Sequence, residues 1–265
     1  MFSQARTLLL ATLSFLLLGA ADDDGARSIM EEQRTRHQAQ SEILLSTMVV
    51  RSRSGDAKTR RLVAKAVTSG GNTRTLLKFI EPADIRNVGL LTWSEGSGKS
   101  DDQWLYLEAS KQTRRIVGSA KKNAFMGTDI AYEDLRPEDL SAHSYTLVGE
   151  QVVSGEKTWK IEAVPATAAE QRESGYAKRV MWIRQDNYMT VMTSFRDRRD
   201  REIKRANYSA MKRISGNMWR ADRTFVKTIR TGTSTFMQVD DRRINEAISS
   251  QDFLPQNIAR QARFR

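Results

Sequence analysis

The chain has 265 residues, with 43 Lys and Arg against 32 Asp and Glu, for a formal net charge of +11. It contains no Cys, two His and four Pro. That excludes a disulfide scaffold, a thiolate zinc site and a cysteine nucleophile, and a two-His metal site would need both His37 and His143.

Met1 to Ala21 reads as a secretory signal. Arg6 supplies the positive end, Leu8 to Leu18 is a short apolar run, and Gly19-Ala20-Ala21 offers small residues for cleavage. Cleavage is expected after Ala21 or one residue earlier. No Cys follows it, so a bacterial lipoprotein anchor is ruled out. No later stretch approaches about 18 consecutive apolar residues. The expectation is a periplasmic protein with a single domain over 22–265 and a short tail after about residue 254.

The acidic Asp22-Asp23-Asp24 precedes a helix over Ala26 to Gln40, with Ile29 and Met30 as its apolar contacts. The period then changes to two. Strands are predicted at Ile43 to Arg53, Thr59 to Thr68 and Thr73 to Ile80, separated by Ser54-Gly55-Asp56 and Gly70-Gly71-Asn72 turns. Pro82 to Val88 interrupts the series. Gly89 to Trp93, Gln103 to Leu107 and Thr113 to Val117 resume it. The middle differs: Phe125 to Asp129 is a loop, Tyr132 to Leu135 is short and helical, and Pro137-Glu138-Asp139-Leu140 carries helix-start residues. Strands return at Tyr145 to Val153, Lys157 to Pro165, Ala177 to Arg184, Met189 to Asp197, Arg201 to Lys212, Trp219 to Thr231 and Thr233 to Asp240. One short helix is expected over Ile244 to Phe253. The pattern favours one antiparallel sheet of roughly ten to twelve strands, curled into an open or closed barrel.

Motifs for catalysis are weak. Gly98-Lys99-Ser100 lacks the upstream glycine of a phosphate-binding loop, because Trp93 stands there, and a strand rather than a helix follows. There is no nucleophile elbow and no H-E-x-x-H pattern. Glu133-Asp134 and Glu138-Asp139 are carboxylate pairs that acid–base chemistry could use, but helix-start acids facing water are the plainer reading. His143 reads as a surface residue. Neither a catalytic residue, a metal nor a cofactor is expected.

Charge and aromatics say more. Arg196 to Arg205 is dense in basic residues with interspersed Asp. An exported chain makes nucleic acid an unsuitable partner. An anionic membrane surface is one candidate partner, and a solvated hairpin end is the plain alternative. Trp93, Leu105, Trp159, Ile161, Trp182, Phe195, Trp219 and Phe225 all fall on predicted strands. Alternation places Trp159, Ile161 and Ala163 on one face, and Val191, Thr193 and Phe195 on one face. In a curled sheet these eight aromatic and aliphatic residues are the candidates for an apolar ligand cavity, with an ordinary filled core as the alternative.

Three segments carry a resemblance. They are Phe79-Ile80-Glu81-Pro82-Ala83-Asp84-Ile85-Arg86-Asn87-Val88-Gly89, then Asp101-Asp102-Gln103-Trp104-Leu105-Tyr106-Leu107 with Arg114-Arg115-Ile116, then Phe125-Met126-Gly127-Thr128-Asp129-Ile130-Ala131-Tyr132-Glu133-Asp134-Leu135. In this order the chain resembles the outer-membrane lipoprotein-sorting, LolA-like periplasmic proteins, and within them the branch found beside RND-type exporters. The resemblance implies a mainly β (α+β) fold: a single strongly curved antiparallel sheet forming a half-open barrel of about eleven strands. An N-terminal helix and short helices would plug the opening. It also implies a non-enzymatic, monomeric carrier of a lipid or a lipoprotein acyl chain towards the outer membrane. An RND-type exporter is an implied partner, and an adaptor subunit of such an exporter with a filled core is the alternative. On this frame Pro82 and Gly89 set a bend, Gly127 a tight turn and Asp129 a local cap.

Overall fold

The computed structural model describes residues 23–96 and 101–260. The signal segment and the Gly98-Lys99-Ser100 turn lie outside the described residues. Each of the thirteen segments with a period of two is a strand, where the resemblance implied about eleven. The first six are β1 (Ser41–Arg51), β2 (Ala57–Ser69), β3 (Asn72–Glu81), β4 (Gly89–Ser94), β5 (Asp102–Leu107) and β6 (Gln112–Ile116). The next are β7 (His143–Val153), β8 (Glu156–Pro165), β9 (Lys178–Arg184) and β10 (Thr190–Arg196). β11 (Glu202–Ser215), β12 (Met218–Thr228) and β13 (Ser234–Ile244) complete the set.

All thirteen belong to one antiparallel sheet with the order β6-β5-β4-β3-β2-β1-β13-β12-β11-β10-β9-β8-β7. Every neighbour but one is a sequential hairpin partner. The exception is β1 with β13, which joins two meanders edge to edge. The sheet therefore has two free edges, β6 and β7, and is not closed into a barrel. The hairpins follow from local chemistry. Between β2 and β3, Gly70 and Gly71 take φ of +57° and +79°, the left-handed pair that a two-residue turn between twisted strands demands. The β6 edge carries Arg114 and Arg115, charges that discourage a further strand from pairing.

The helix predicted after the acidic run is α1 (Asp24–Arg36). The Asp23 carboxylate accepts from the Gly25 amide at 2.9 Å, Asp24 sits in the first turn, and Arg34 and Arg36 lie in the last. It stops four residues before the predicted end because β1 starts at Ser41. Ala26 and Met30, four apart, are its buried face. A second helix, α2 (Ala168–Glu173), was not anticipated. Its signal was present: the Thr167 hydroxyl caps the Glu170 amide, three residues on. The tail expected as one helix is two single 3-10 turns, Ser250–Phe253 and Pro255–Asn257.

The register sorts side chains onto two faces. On one face, Met48, Leu62, Phe79, Leu90, Leu105, Phe195, Ala206 and Val226 form a continuous cluster. The 117–142 connection from β6 to β7 crosses this face from one free edge to the other. It inserts Phe125, Ile130 and Tyr132. Phe125 stacks on Phe79 with ring centroids 5.6 Å apart and meets Tyr132 edge-on at 5.6 Å. On the same face, α1 packs Ala26 and Met30 against Tyr145, Ile161, Ala163, Met181 and Ile183. The opposite face is covered near β3–β5 by the C-terminal segment, where Phe253 and Ile258 meet Leu76, Leu91 and Tyr106.

Two roles read from the motif need correction. Asp129 is not a local cap. Its carboxylate accepts hydroxyls of Thr228, Thr233 and Thr235 at 2.5–2.8 Å and ties the crossing connection to β12 and β13. Such a long-range clasp leaves no local spacing signal. Gly89 makes room rather than a bend: a Cβ there would lie 3.1 Å from Lys78 Cε. Gly127 does take the left-handed turn expected of it, at φ +70°.

Candidate functional site

The crossing connection and α1 leave part of the inner face uncovered. Between α1, residues 133–143, α2 and strands β9 to β12 lies a hollow of about 540 Å³. A second hollow of about 590 Å³ lies along the other flank of α1. The two share Met30 and Gln33 of α1, His37 at its end, Pro137 to Asp139 of the connection, and Arg220, so α1 runs between them. The helix is pinned along its length. Arg27 donates to the carbonyls of Leu140 and His143 at 3.2 and 3.0 Å, and Gln33 donates to the Tyr188 carbonyl at 2.6 Å. The Arg36 guanidinium lies 4.2 Å from the Tyr188 ring centroid.

The apolar wall of the first hollow is Met30, Met181, Met189, Phe195 and Trp219. Methionine is unbranched and polarizable, so such a wall adapts to chains of varied shape. The rest of the lining is ionic. Glu138 accepts both terminal nitrogens of Arg179 at 2.7 Å and the Tyr145 hydroxyl at 2.6 Å. Burial alone would raise the Glu138 carboxyl, but the Arg179 guanidinium beside it holds it at about 2. Asp134 accepts from Lys204, from the Tyr176 hydroxyl at 3.0 Å and from the Ala131 amide at 2.6 Å. The Lys204 ammonium also lies 4.3 Å from the Phe195 ring centroid. Arg136 bridges Asp101 and Glu170 at 3.1 Å each. Glu133 accepts the Ser174 hydroxyl at 2.7 Å and the Gly175 amide at 2.8 Å, and burial pushes its carboxyl up. Burial likewise lowers the His143 imidazole, which is 8% exposed.

The carboxylates read as helix-start acids facing water, and the histidine read as a surface residue, are therefore part of the inner wall. The partners of Glu133, Asp134 and Glu138 come chiefly from the residues after α2, from β11 and from β9, distant in sequence, whereas Asp139 caps the local turn at Ser141 as a helix-start acid does. Glu133 and Asp134 hold the connection against the sheet. Along the wall, carboxylates outnumber cations: seven of the lining residues are Asp or Glu and four are Lys or Arg. In a chain of net charge +11 this is a local reversal of sign.

Of the eight residues proposed from the sequence, Phe195 and Trp219 line the hollow. Leu105 is on the inner face but is packed in the cluster around Phe79 and Phe125. Ile161 and Trp159 are on the inner face beneath α1, with Trp159 5.0 Å from the Tyr188 ring. Trp93 lies on the opposite face, donating its indole N–H to the Phe253 carbonyl at 2.8 Å. Trp182 alternates with Met181 and so faces away from the hollow, donating to Gln151 at 2.9 Å. Phe225 is 39% exposed and alternates with the inward Val226. The sequence reading favoured size and missed Met30, Met181 and Met189. Register held the signal, since Met181 pairs with Ile161, which was placed correctly beside Trp159 and Ala163.

The basic run Arg196 to Arg205 is largely self-neutralised. Asp197 pairs with Arg201, Asp200 with Lys178 and Arg196, Glu202 with Arg205, and Lys204 points inward to Asp134. Only Arg198 and Arg199, at the hairpin tip, are exposed with no acidic partner among the described residues.

A family model described as "Uncharacterized protein" matches residues 71–260. The chain belongs to that family. Its solved relatives are consistent with the resemblance read from the three motifs. A domain from Vibrio parahaemolyticus assigned to outer membrane lipoprotein sorting is 26% identical, with a TM-score of 0.84 over 89% of this chain and 99% of that one. A DUF1329 family protein from Desulfovibrio piger is 26% identical, with a TM-score of 0.83 over 88% and 98%. A LolA superfamily protein from Nitrosomonas europaea shares the fold at 18% identity, with a TM-score of 0.66 over 89% and 98%. The chain therefore shares its fold with lipoprotein-sorting and LolA superfamily proteins. No curated protein matches it in sequence.

Proposed function

We propose that this family member is a non-enzymatic carrier of the cell envelope that shelters the acyl chain of a lipid or lipoprotein and moves it towards the outer membrane. The observation that carries the reading is the pair of hollows flanking α1. Each falls within the range of about 300–1,000 Å³ typical of ligand sites, and the first has a methionine and aromatic wall. A carrier must hide about 0.8 kcal/mol of apolar exposure per CH₂ that it takes through water. The similarity to a domain assigned to lipoprotein sorting supports the same reading. The excess of carboxylates along the wall argues that the acyl chain enters while an anionic headgroup stays at the mouth. Glu133 and Asp134 are engaged in holding the connection, which supports a role without chemistry. Delivery from an RND-type exporter is the finer form of the proposal.

The test is native mass spectrometry of protein taken from its own envelope, followed by lipid extraction, and then uptake of a fluorescent monoacyl probe. A bound lipid near one per protein supports the carrier. The variant Met189→Trp should lower probe uptake at least tenfold while leaving the melting curve in place. A clean apo mass with no probe uptake would refute the carrier, and the filled-core adaptor would replace it.

A further inference from the structure

Three hairpin turns meet at one end of the sheet. They join β1 to β2, β12 to β13, and β10 to β11, and their six strands are consecutive in the order β2-β1-β13-β12-β11-β10. At about 4.8 Å between neighbouring strands, the turns together span roughly 24 Å. The turns touch one another: a Cβ on Gly232 would lie 3.3 Å from Arg53 Cγ. The Ile229 amide donates to the Ile203 carbonyl at 2.9 Å and fixes the second turn beside β11.

These turns and the strand ends beneath them carry Arg51, Arg53, Lys58, Arg198, Arg199, Lys227 and Arg230, all exposed. None has an acidic partner among the described residues, whereas the acids of the third turn are already paired with Arg196, Arg201 and Lys178. Asp56 is the one carboxylate left here, and it is held by the Ser52 and Ser54 hydroxyls. Ile229 projects among the cations at 45% exposure, two strand positions beyond Lys227. Neither hollow beside α1 is lined by any of the seven.

We propose that this end of the sheet is a docking surface for an anionic phospholipid membrane. Long unpaired cations with an apolar side chain among them, spread over several turns, suit a diffuse charged plane. A shaped acidic protein partner would be expected to meet a groove, and these residues line neither hollow. The surface is separate from the cargo hollow, so its test needs no cargo and its outcome leaves the carrier reading untouched.

The experiment is co-sedimentation with vesicles of phosphatidylglycerol and phosphatidylcholine, compared with phosphatidylcholine alone, at low and high salt. Each basic residue near an anionic surface strengthens binding roughly fivefold. The triple variant Arg53→Gln, Arg199→Gln and Arg230→Gln should then weaken binding by about a hundredfold. The control triple Arg114→Gln, Lys157→Gln and Arg172→Gln removes the same charge from exposed sites elsewhere and should stay within about threefold of the parent. Equal losses in both triples would overturn the proposal, because net charge alone would then explain binding. Equal binding to neutral vesicles would overturn it too. Retention on immobilised polyglutamate without vesicle binding would replace the membrane with an acidic protein partner.

Discussion

Replacing Glu138 by Gln tests whether the ionic wall of the hollow is a structural asset or a liability. Glu138 sits in the connection after the crossing, and its partners Arg179 and Tyr145 lie on β9 and β7. Its side chain is 28% exposed and that of Arg179 is 19% exposed, so screening by water is partial. The carboxyl stands at about 2 in the folded chain against 4.5 for the free side chain. That difference corresponds to about 3 kcal/mol of stability at neutral pH. The figure agrees with the lower end of the about 3–5 kcal/mol that breaking a buried pair costs, stranded partner charge included. The expected loss for Glu138→Gln at pH 7 is therefore about 3 kcal/mol. The sign of the pH dependence follows from a depressed folded pKa. The contribution is complete above about 4.5 and is lost as pH falls towards about 2. Urea unfolding of both proteins at pH 7, 5 and 3 measures this. The gap should be similar at pH 7 and 5 and should narrow at pH 3. A gap under about 0.5 kcal/mol at pH 7, or one that stays constant down to pH 3, would refute the reasoning.

Three further predictions concern the opposite face and the aromatics. Lys78 is 1% exposed and donates to the Ile258 carbonyl at 2.6 Å and to that of Arg260, and burial lowers its ammonium to about 8. A lysine depressed in this way favours folding more once it can discharge, so stability should rise between pH 8 and about 10.5. Lys78→Met should flatten that rise in a urea titration. Gly89→Ala places a methyl 3.1 Å from Lys78 Cε and 3.5 Å from Ile258 Cγ1. It should cost about 1–3 kcal/mol by overpacking, measured by thermal unfolding. Trp93→Ala and Trp219→Ala separate the two faces. The former should cost about 3–5 kcal/mol of stability with probe uptake per folded molecule unchanged, and the latter should lower uptake several-fold. The reverse pattern in a combined melting and fluorescence assay would place the cargo on the wrong side of the sheet.

Alternation made the strands legible. It also placed Trp159, Ile161 and Ala163 together on the inner face, as the structure has them. It did not say which face would be covered by what. Trp93 and Leu105 both read as candidates for the interior, yet they lie on opposite faces, one beneath the C-terminal segment and one beneath Phe125. The charged residues were the least legible. Glu138 meets Arg179 41 residues later, and Asp134 meets Lys204 70 residues later. Both pairs depend on how the connection crosses the sheet, which no local pattern encodes. Arg196 to Arg205 admits two readings in the sequence, a membrane-facing surface and a solvated hairpin end, and spacing alone does not show that Asp197 and Asp200 pair with Arg201 and Arg196. The unpaired cations instead come from three turns that only strand order brings together.

That strand order links the fold to the proposed role. Because β1 pairs with β13, the free edges fall at β6 and β7, and the chain must cross the inner face to pass from one to the other. The crossing fills one part of that face with Phe125, Ile130 and Tyr132 and lines another part with Glu133 to Glu138. A wall of carboxylates would be costly if left unpaired in a sheltered space. Here Lys204, Arg136 and Arg179 neutralise it from the strands and from the connection itself. The pairing leaves the methionine wall as the surface with unsatisfied apolar area, so an entering acyl chain gains there without displacing an ion pair. If the ion pairs were instead the binding groups, Glu138→Gln would change the affinity for a monoacyl probe by at least tenfold in the folded protein. On the present reading it changes stability and leaves that affinity within about threefold.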